Sequence, residues 1–298
     1  MVAMRTVEYS VDLPSSPFES IERIMTDLNQ RTVVITGASL GVGAATARAC
    51  FERGANLVLI ARGRERLETL AGELGSPERL AIEALDVTDL DGFSAALERA
   101  RQRFGSVDVL INNAGFHSRG PVEQVSVEDL GRMIDVNLKA PIQLTRLALP
   151  LLREAKTPAV IQVASLAGRT PVPGSAAYSA SKFGLRAFSM ALGEELHGSG
   201  IKFACVSPGP IDTGFIMDDI DAVSDLTFSQ PIVTAEQVAE EIIKLIGDGR
   251  RDAPMPRLSG YLTTLTYLFP SIGRFMRPML EKKGRRTKAR LKREGQKD

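Results

Sequence analysis

The chain has 298 residues, 44% hydrophobic and 24% charged, with a formal net charge of +1. That length suits one large α/β domain, and the near-neutral balance gives no global pull toward nucleic acid or membrane. Two cysteines (Cys50, Cys205) and two histidines (His117, His197) offer neither a disulfide framework nor ligands at metal spacing.

The N-terminus lacks a basic region followed by an apolar core, and no apolar run reaches the ~18 residues that span a bilayer. A reducing, cytoplasmic setting is the expectation. Residues 1–31 form an extension with a short amphipathic helix. Ser16 suits its N-cap, Pro17 its first position, and Phe18, Ile21, Ile24, Met25 and Leu28 one face. Packing on the domain or on a partner subunit is its expected role.

From residue 32, short β-branched runs alternate with longer amphipathic segments. Strands are predicted at 32–35, 56–60, 81–85, 107–111, 159–163 and 202–206. Helices are predicted near 42–53, 64–74, 88–103, 126–153, 176–198 and 235–247. Near-continuous apolar strands alternating with helices predict an α/β fold. It is a Rossmann-type, doubly wound parallel sheet with helices on both faces, in a single domain over residues 32–250.

The first strand runs into Thr36-Gly37-Ala38-Ser39-Leu40-Gly41-Val42-Gly43 and then an alanine-rich helix. Gly37, Gly41 and Gly43 let backbone approach a pyrophosphate. With Ser39, Leu40 and Val42 they form a helix start whose free N–H groups and dipole favour an anion. The same residues satisfy G-x-S-x-G, the serine-hydrolase elbow with Ser39 as nucleophile. That reading ranks lower, because His197 lies in a helix-end cap and an elbow on the first strand is unusual. About 20 residues on, Ala61-Arg62-Gly63-Arg64 offers no acid for ribose hydroxyls. Arg62 instead suits a 2′-phosphate through a charge-assisted fork, which favours NADP(H) over NAD(H).

Tyr178 and Lys182 stand four residues apart on a predicted helix, thirteen residues after Ser165. An ammonium one turn away favours the phenolate of a tyrosine whose ordinary pKa is about 10. Ser165 on the preceding loop is placed to hold a carbonyl oxygen beside that hydroxyl.

With these pieces the chain resembles the short-chain dehydrogenase/reductase family over roughly residues 31–250. The motifs are Thr36–Gly43, Asp86-Val87, Asn112-Asn113-Ala114-Gly115, Asn137, Ser165 with Tyr178 and Lys182, and Pro208-Gly209-Pro-Ile211-Asp-Thr213. The resemblance implies a catalytic tetrad of Ser165, Tyr178, Lys182 and Asn137, with a water on Asn137 linking Lys182 to solvent. It implies adenine contacts at Asp86 and Val87, and an adenosine-ribose wall at Asn113 with Ala114 and Gly115. The nicotinamide end lies near Pro208, Gly209, Ile211 and Thr213, with Tyr178 and Lys182 also touching the cofactor.

The implied activity is NADP(H)-dependent interconversion of an alcohol and a ketone or aldehyde. A mobile lid over 213–234 carries Phe215, Ile216, Met217, Ile220 and Phe228. With Phe116, His117 and Val172 it fits an apolar substrate. Alternatives are a 3-oxoacyl thioester reductase and a catalytically idle NADP(H)-binding protein; the intact tetrad argues against the latter. A homo-oligomer, dimer or tetramer, is the family expectation, and no nucleic-acid motif is present.

Residues 251–298 depart from the 3-oxoacyl-carrier-protein reductases of the family, which end in a short strand and a glycine-rich stop. Here Pro254 and Pro256 interrupt any long final strand. An apolar segment over 257–280 follows, then nine Lys/Arg against three acids in 281–298. The expectation is a helix pair that covers the substrate or forms a dimer contact, ending in a solvated, disordered tail. An apolar patch beside a basic cluster also fits contact with an anionic membrane surface.

Overall fold

The computed structural model describes residues 27–217 and 220–294, and from residue 32 strands and helices alternate as the hydrophobic pattern requires. The strands are β1 (Thr32–Thr36), β2 (Asn56–Ala61), β3 (Leu80–Ala84), β4 (Val109–Asn112), β5 (Ala159–Val163) and β6 (Lys202–Pro208). A short pair, β7 (Ile211–Asp212) and β8 (Val233–Thr234), precedes β9 (Asp252–Met255). The helices begin with α1 (Gly41–Glu52), α2 (Arg64–Leu74), α3 (Leu90–Phe104), α4 (Val127–Ile134) and α5 (Ala140–Glu154). They continue with α6 (Ala176–Glu195), α7 (Gly214–Met217), α8 (Ala235–Gly247), α9 (Arg257–Leu268) and α10 (Pro270–Glu294).

The main sheet is parallel in the order β3-β2-β1-β4-β5-β6-β9. Successive strand residues face opposite sides. Val33, Ile35, Leu57, Leu59, Val109 and Ile111 therefore pack in one layer with α1, α2 and α8. Val34, Val58, Leu110 and Val160 pack in the other with α3 and α5. Two apolar layers on a sheet buried from both sides are what the near-continuous strand runs demand. Both cysteines are free and buried.

Four expectations need correction or placing. The single helix over 126–153 is three pieces, since a π-helical turn, Asp135–Lys139, separates α4 from α5. The final strand is short, as the prolines require: β9 has four residues and ends before Pro256, and Pro254 lies inside it. β9 pairs with β6 alone, and a proline that cannot donate is tolerated at a sheet edge. The basic run is not a disordered tail; α10 carries it to Glu294. The helix expected near Ser16 lies outside the described residues except for Leu28, which is fully buried. Among the described residues, no helix is long and apolar enough to cross a membrane.

Candidate active site

The strand order reverses between β1 and β4, so the connections leaving these strands diverge to opposite faces. A crevice opens at their carboxyl ends. There lies a cleft of about 1880 Å³, well above the ~300–1,000 Å³ of a drug-sized ligand site. It has room for a dinucleotide and a second molecule.

The glycine turn forms one wall. Gly37 has φ of 66°, and a Cβ on Gly43 would lie 2.0 Å from the Gly37 carbonyl oxygen. Only glycine allows α1 to start this close to β1. Leu40 at the N-cap makes no side-chain hydrogen bond. The N–H groups that open α1 thus lack a capping side chain, and the helix dipole adds a favourable field for an anion. Ser39, Leu40, Gly41 and Val42 line the cleft, and Thr213 closes over Gly41, whose built Cβ would lie 3.3 Å from Thr213 Cγ2.

The end of the cleft expected to take adenosine is built from loop residues after β2, β3 and β4. Arg62 is exposed at the rim, and Arg64 pairs with Glu68 at 3.7 Å rather than with its neighbour Glu65. Asp86 Oδ1 accepts from Thr88 N at 3.0 Å and from Thr88 Oγ1 at 2.8 Å. Burial pushes the Asp86 carboxyl up, but these bonds and the Arg62 charge together hold it below its ordinary range. Val87 lines the cleft beside it.

Asn113 donates from Nδ2 to Thr36 O (3.0 Å) and Gly37 O (3.1 Å), while Thr36 Oγ1 accepts from the N–H groups of Asn113 and Ala114. Its amide hydrogens are therefore spent on holding the glycine turn to β4. Ala114, Gly115, Pro208, Gly209 and Ile211 complete the floor. A strand-end cradle with an uncapped helix start and a cationic rim fits a nicotinamide dinucleotide.

The opposite wall brings together Ser165, Tyr178 and Lys182, while Asn137, the fourth residue expected to be catalytic, is fully buried outside the lining. Ser165 caps a short 3-10 turn after β5, where its Oγ accepts from Ala167 N at 3.1 Å. Its side chain faces Tyr178 closely enough to favour the phenolate. Burial raises the Tyr178 pKa above its ordinary value, against the pull of Ser165 and of the Arg119 charge. Lys182, only 3% exposed, donates from Nζ to Val163 O at 2.9 Å and lies 5.8 Å from the Tyr178 ring centre. Burial pushes its pKa down to about 8.

One expectation changes here: Tyr178 stands above its ordinary pKa, because burial outweighs the groups that favour its phenolate, and the Lys182 ammonium turns to a backbone carbonyl. The Asn137 side chain is bound within the protein. Nδ2 donates to Phe116 O (2.7 Å) and Ser181 Oγ (3.2 Å), and Oδ1 accepts from Phe116 N (2.7 Å). The π-helical turn places this buried side chain as a clamp on the loop after β4.

Loop and C-terminal residues complete the cleft. His117 stacks on Tyr178 with centroids 4.0 Å apart and planes 16° apart. Burial, helped by the Arg119 and Lys182 charges, pushes its pKa down to about 3. Its buried Nε2 has no hydrogen-bond partner among the described residues. Arg119 donates from Nη2 to Phe215 O at 2.6 Å and sits over the Phe215 ring at 5.2 Å. Sequence reasoning missed Arg119, which lies in a loop without periodicity. The helix pair expected here is present as α9 and α10, and Leu262, Thr266, Arg274 and Met276 are the residues with which it lines the cleft. Their helical spacing was readable, but not which face would turn inward. Neither histidine hydrogen-bonds Ser39; His197 instead meets Arg251 at 3.3 Å.

A model of the family described as short chain dehydrogenase matches residues 31–223. An uncharacterized oxidoreductase of Staphylococcus saprophyticus is 38% identical over 210 residues, covering 70% of this chain and 83% of that protein. Dehydrogenase/reductase SDR family member 7B of Bos taurus is 33% identical over 263 residues, covering 82% of this chain and 80% of that protein. Among solved structures, a short-chain glucose/ribitol dehydrogenase of Brucella melitensis aligns with a TM-score of 0.71. It is 30% identical, with 77% of this chain and 96% of that one covered.

Proposed function

The chain belongs to the short-chain dehydrogenase family, and from that premise we propose that it is an NADP(H)-dependent oxidoreductase. Its substrate pair is an apolar secondary alcohol and ketone, or an alcohol and aldehyde. The observation that carries the reading is that Ser165, Tyr178 and Lys182 line one cleft whose far wall is an uncapped helix start.

Gly37–Gly43 and Thr213 would hold the pyrophosphate, Asp86, Val87 and Asn113 the adenosine, and Lys182 the nicotinamide ribose. When bound, the nicotinamide dinucleotide supplies or accepts the hydride. Arg62 supports NADP(H), because it stands exposed at the rim with no carboxylate bound to it among the described residues.

Ser165 and Tyr178 would both bind the substrate oxygen, where negative charge develops during reduction. Tyr178 gives its phenolic proton to that oxygen, or takes one in the reverse direction. A phenol with a raised pKa remains protonated at neutral pH, which suits proton donation in reduction. Lys182 places a cation beneath the ring, and Asn137 fixes the loop that carries Phe116 and His117. These two side chains, with Phe215, Leu262 and Met276, give the cleft an apolar inner end, and the 213–234 segment is its lid.

The first test is fluorescence titration with NADPH and with NADH. Tighter NADPH binding that Arg62→Ala reverses supports the assignment; equal or preferential NADH binding overturns it. A screen of apolar ketones then names the substrate. Tyr178→Phe is expected to lower turnover about 100-fold or more while NADPH still binds. Near-wild-type turnover in that variant would remove Tyr178 from the chemistry.

A further inference from the structure

Helix α9 turns its small, polar side to the protein and its large apolar side away from it. Ser259, Gly260 and Thr263 are buried. A Cβ on Gly260 would lie 2.2 Å from Pro254 Cβ, so the helix backbone rests directly on β9. The buried Thr263 hydroxyl donates to Gly260 O at 2.9 Å and needs no partner outside the helix. Leu258, Tyr261, Leu265 and Leu268 recur at helical spacing on the opposite side, exposed by 69%, 73%, 40% and 63%. Phe269, Phe275 and Met279, the last two on α10, are exposed as well. Large apolar side chains in such number on one helix pair mark a surface that something covers.

Charge decides what covers it. Residues 257–294 hold eleven Lys/Arg and two acids, a net +9, so the rest of the chain is −8. Glu281 is already paired with Arg277. Arg257, Lys282, Lys283 and Arg286 are exposed and meet no carboxylate among the described residues. A second copy docked face to face on a two-fold axis would set +9 against +9, which opposes association. An anionic lipid surface answers both features, since its acyl boundary takes the stripe and its phosphates take the cations.

We propose that α9 and the first turns of α10 dock this protein on an anionic bilayer surface. The inner sides of the same helices, through Leu262, Thr266 and Met276, line the cleft. Docking therefore sets the cleft beside the bilayer, from which an apolar substrate would enter. That last consequence rests on the function proposed above; the docking does not.

The test is co-sedimentation of the full chain with vesicles of phosphatidylcholine alone, and with equal parts phosphatidylcholine and phosphatidylglycerol. Binding to the anionic vesicles is expected to be at least about tenfold tighter and to weaken as salt rises. The combined variant Tyr261→Ser, Leu265→Ser, Phe275→Ser changes only exposed side chains outside the cleft. It is expected to lose at least about tenfold in vesicle affinity with its melting temperature and NADPH affinity unchanged. Wild-type protein that stays unbound to anionic vesicles overturns the proposal, as does a variant that binds as well as wild type. A wild-type dimer that the variant turns into a monomer, without vesicle binding, assigns the face to a second copy. Sedimentation needs no turnover, so failed NADPH binding would strike the proposed reaction and leave the docking result standing.

Discussion

His117 lies flat against the ring of Tyr178, and its pKa falls to about 3 because a charged imidazole would lose its hydration there and face Arg119 and Lys182. In the unfolded chain the same side chain titrates near 6.5. Between about pH 3 and 6.5 the unfolded state therefore binds the extra proton. The stability contributed by neutral His117 is complete above pH 6.5 and is lost as pH falls through that window. His117→Phe keeps a stacked ring and removes the titration. Its melting temperature is expected to fall less than that of wild type between pH 7 and pH 4. Parallel curves would show that His117 protonates freely. For the same reason, the turnover profile between pH 5 and 8 is expected to lack a His117 inflection.

At the scale of elements, an ion cluster ties the edge strand to the turn that carries Ser165 and to the helix that carries Tyr178. Asp252 of β9 accepts from Arg186 of α6 at 2.7 Å and also pairs with Arg169, which follows the turn carrying Ser165. Arg169 is buried, so removing its carboxylate strands a guanidinium out of water. Asp252→Ala is expected to destabilise the fold by about 3 kcal/mol, seen as a lower urea midpoint. Turnover should fall as well, because Ser165 and Tyr178 lose their common tether. An unchanged midpoint would mean that the pairs are solvated and contribute little.

None of this cluster was legible in the sequence, since Arg169, Arg186 and Asp252 are joined only by the fold. What was legible had a local cause. The five inner strands, β2, β1, β4, β5 and β6, were readable because burial on both sides leaves continuous apolar runs. The glycine turn was readable because its geometry demands glycines at fixed spacing. Ser165, Tyr178 and Lys182 were readable from a shared helix face and one loop. The π-helical turn at Asn137 left no such mark, because it depends on bonds to Phe116 and Ser181 across the cleft. β9 was hidden by Pro254, whose tolerance depends on being at an edge that sequence alone does not reveal.

The molecule as a whole places its basic C-terminal helix across the proposed lid. Lys288 Nζ donates to Asp221 O (2.9 Å) and Val223 O (2.7 Å), and Lys292 pairs with the Asp221 carboxylate. Leu291 packs against the buried cluster of Ile216, Val223 and Phe228. A Cβ on Gly284 would lie 1.7 Å from Asp225 O, so the helix backbone rests on the lid backbone. Ala222, Val223, Ser224, Leu226 and Thr227 of that segment line the cleft. A charge run that looks like a solvated tail thus acts as a brace in which Lys288 satisfies two carbonyls of the proposed lid and Lys292 one carboxylate. Gly284→Val cannot keep this contact and must lift α10 from the segment. It is expected to raise KM for an apolar ketone and to increase protease cleavage around 220–229, with NADPH affinity unchanged. Lys288→Met, which removes two hydrogen bonds without bulk, should move both readouts the same way by a smaller amount. If KM and cleavage stay at wild-type values in both variants, α10 does not restrain the lid. Its basic residues would then be free for the bilayer alone.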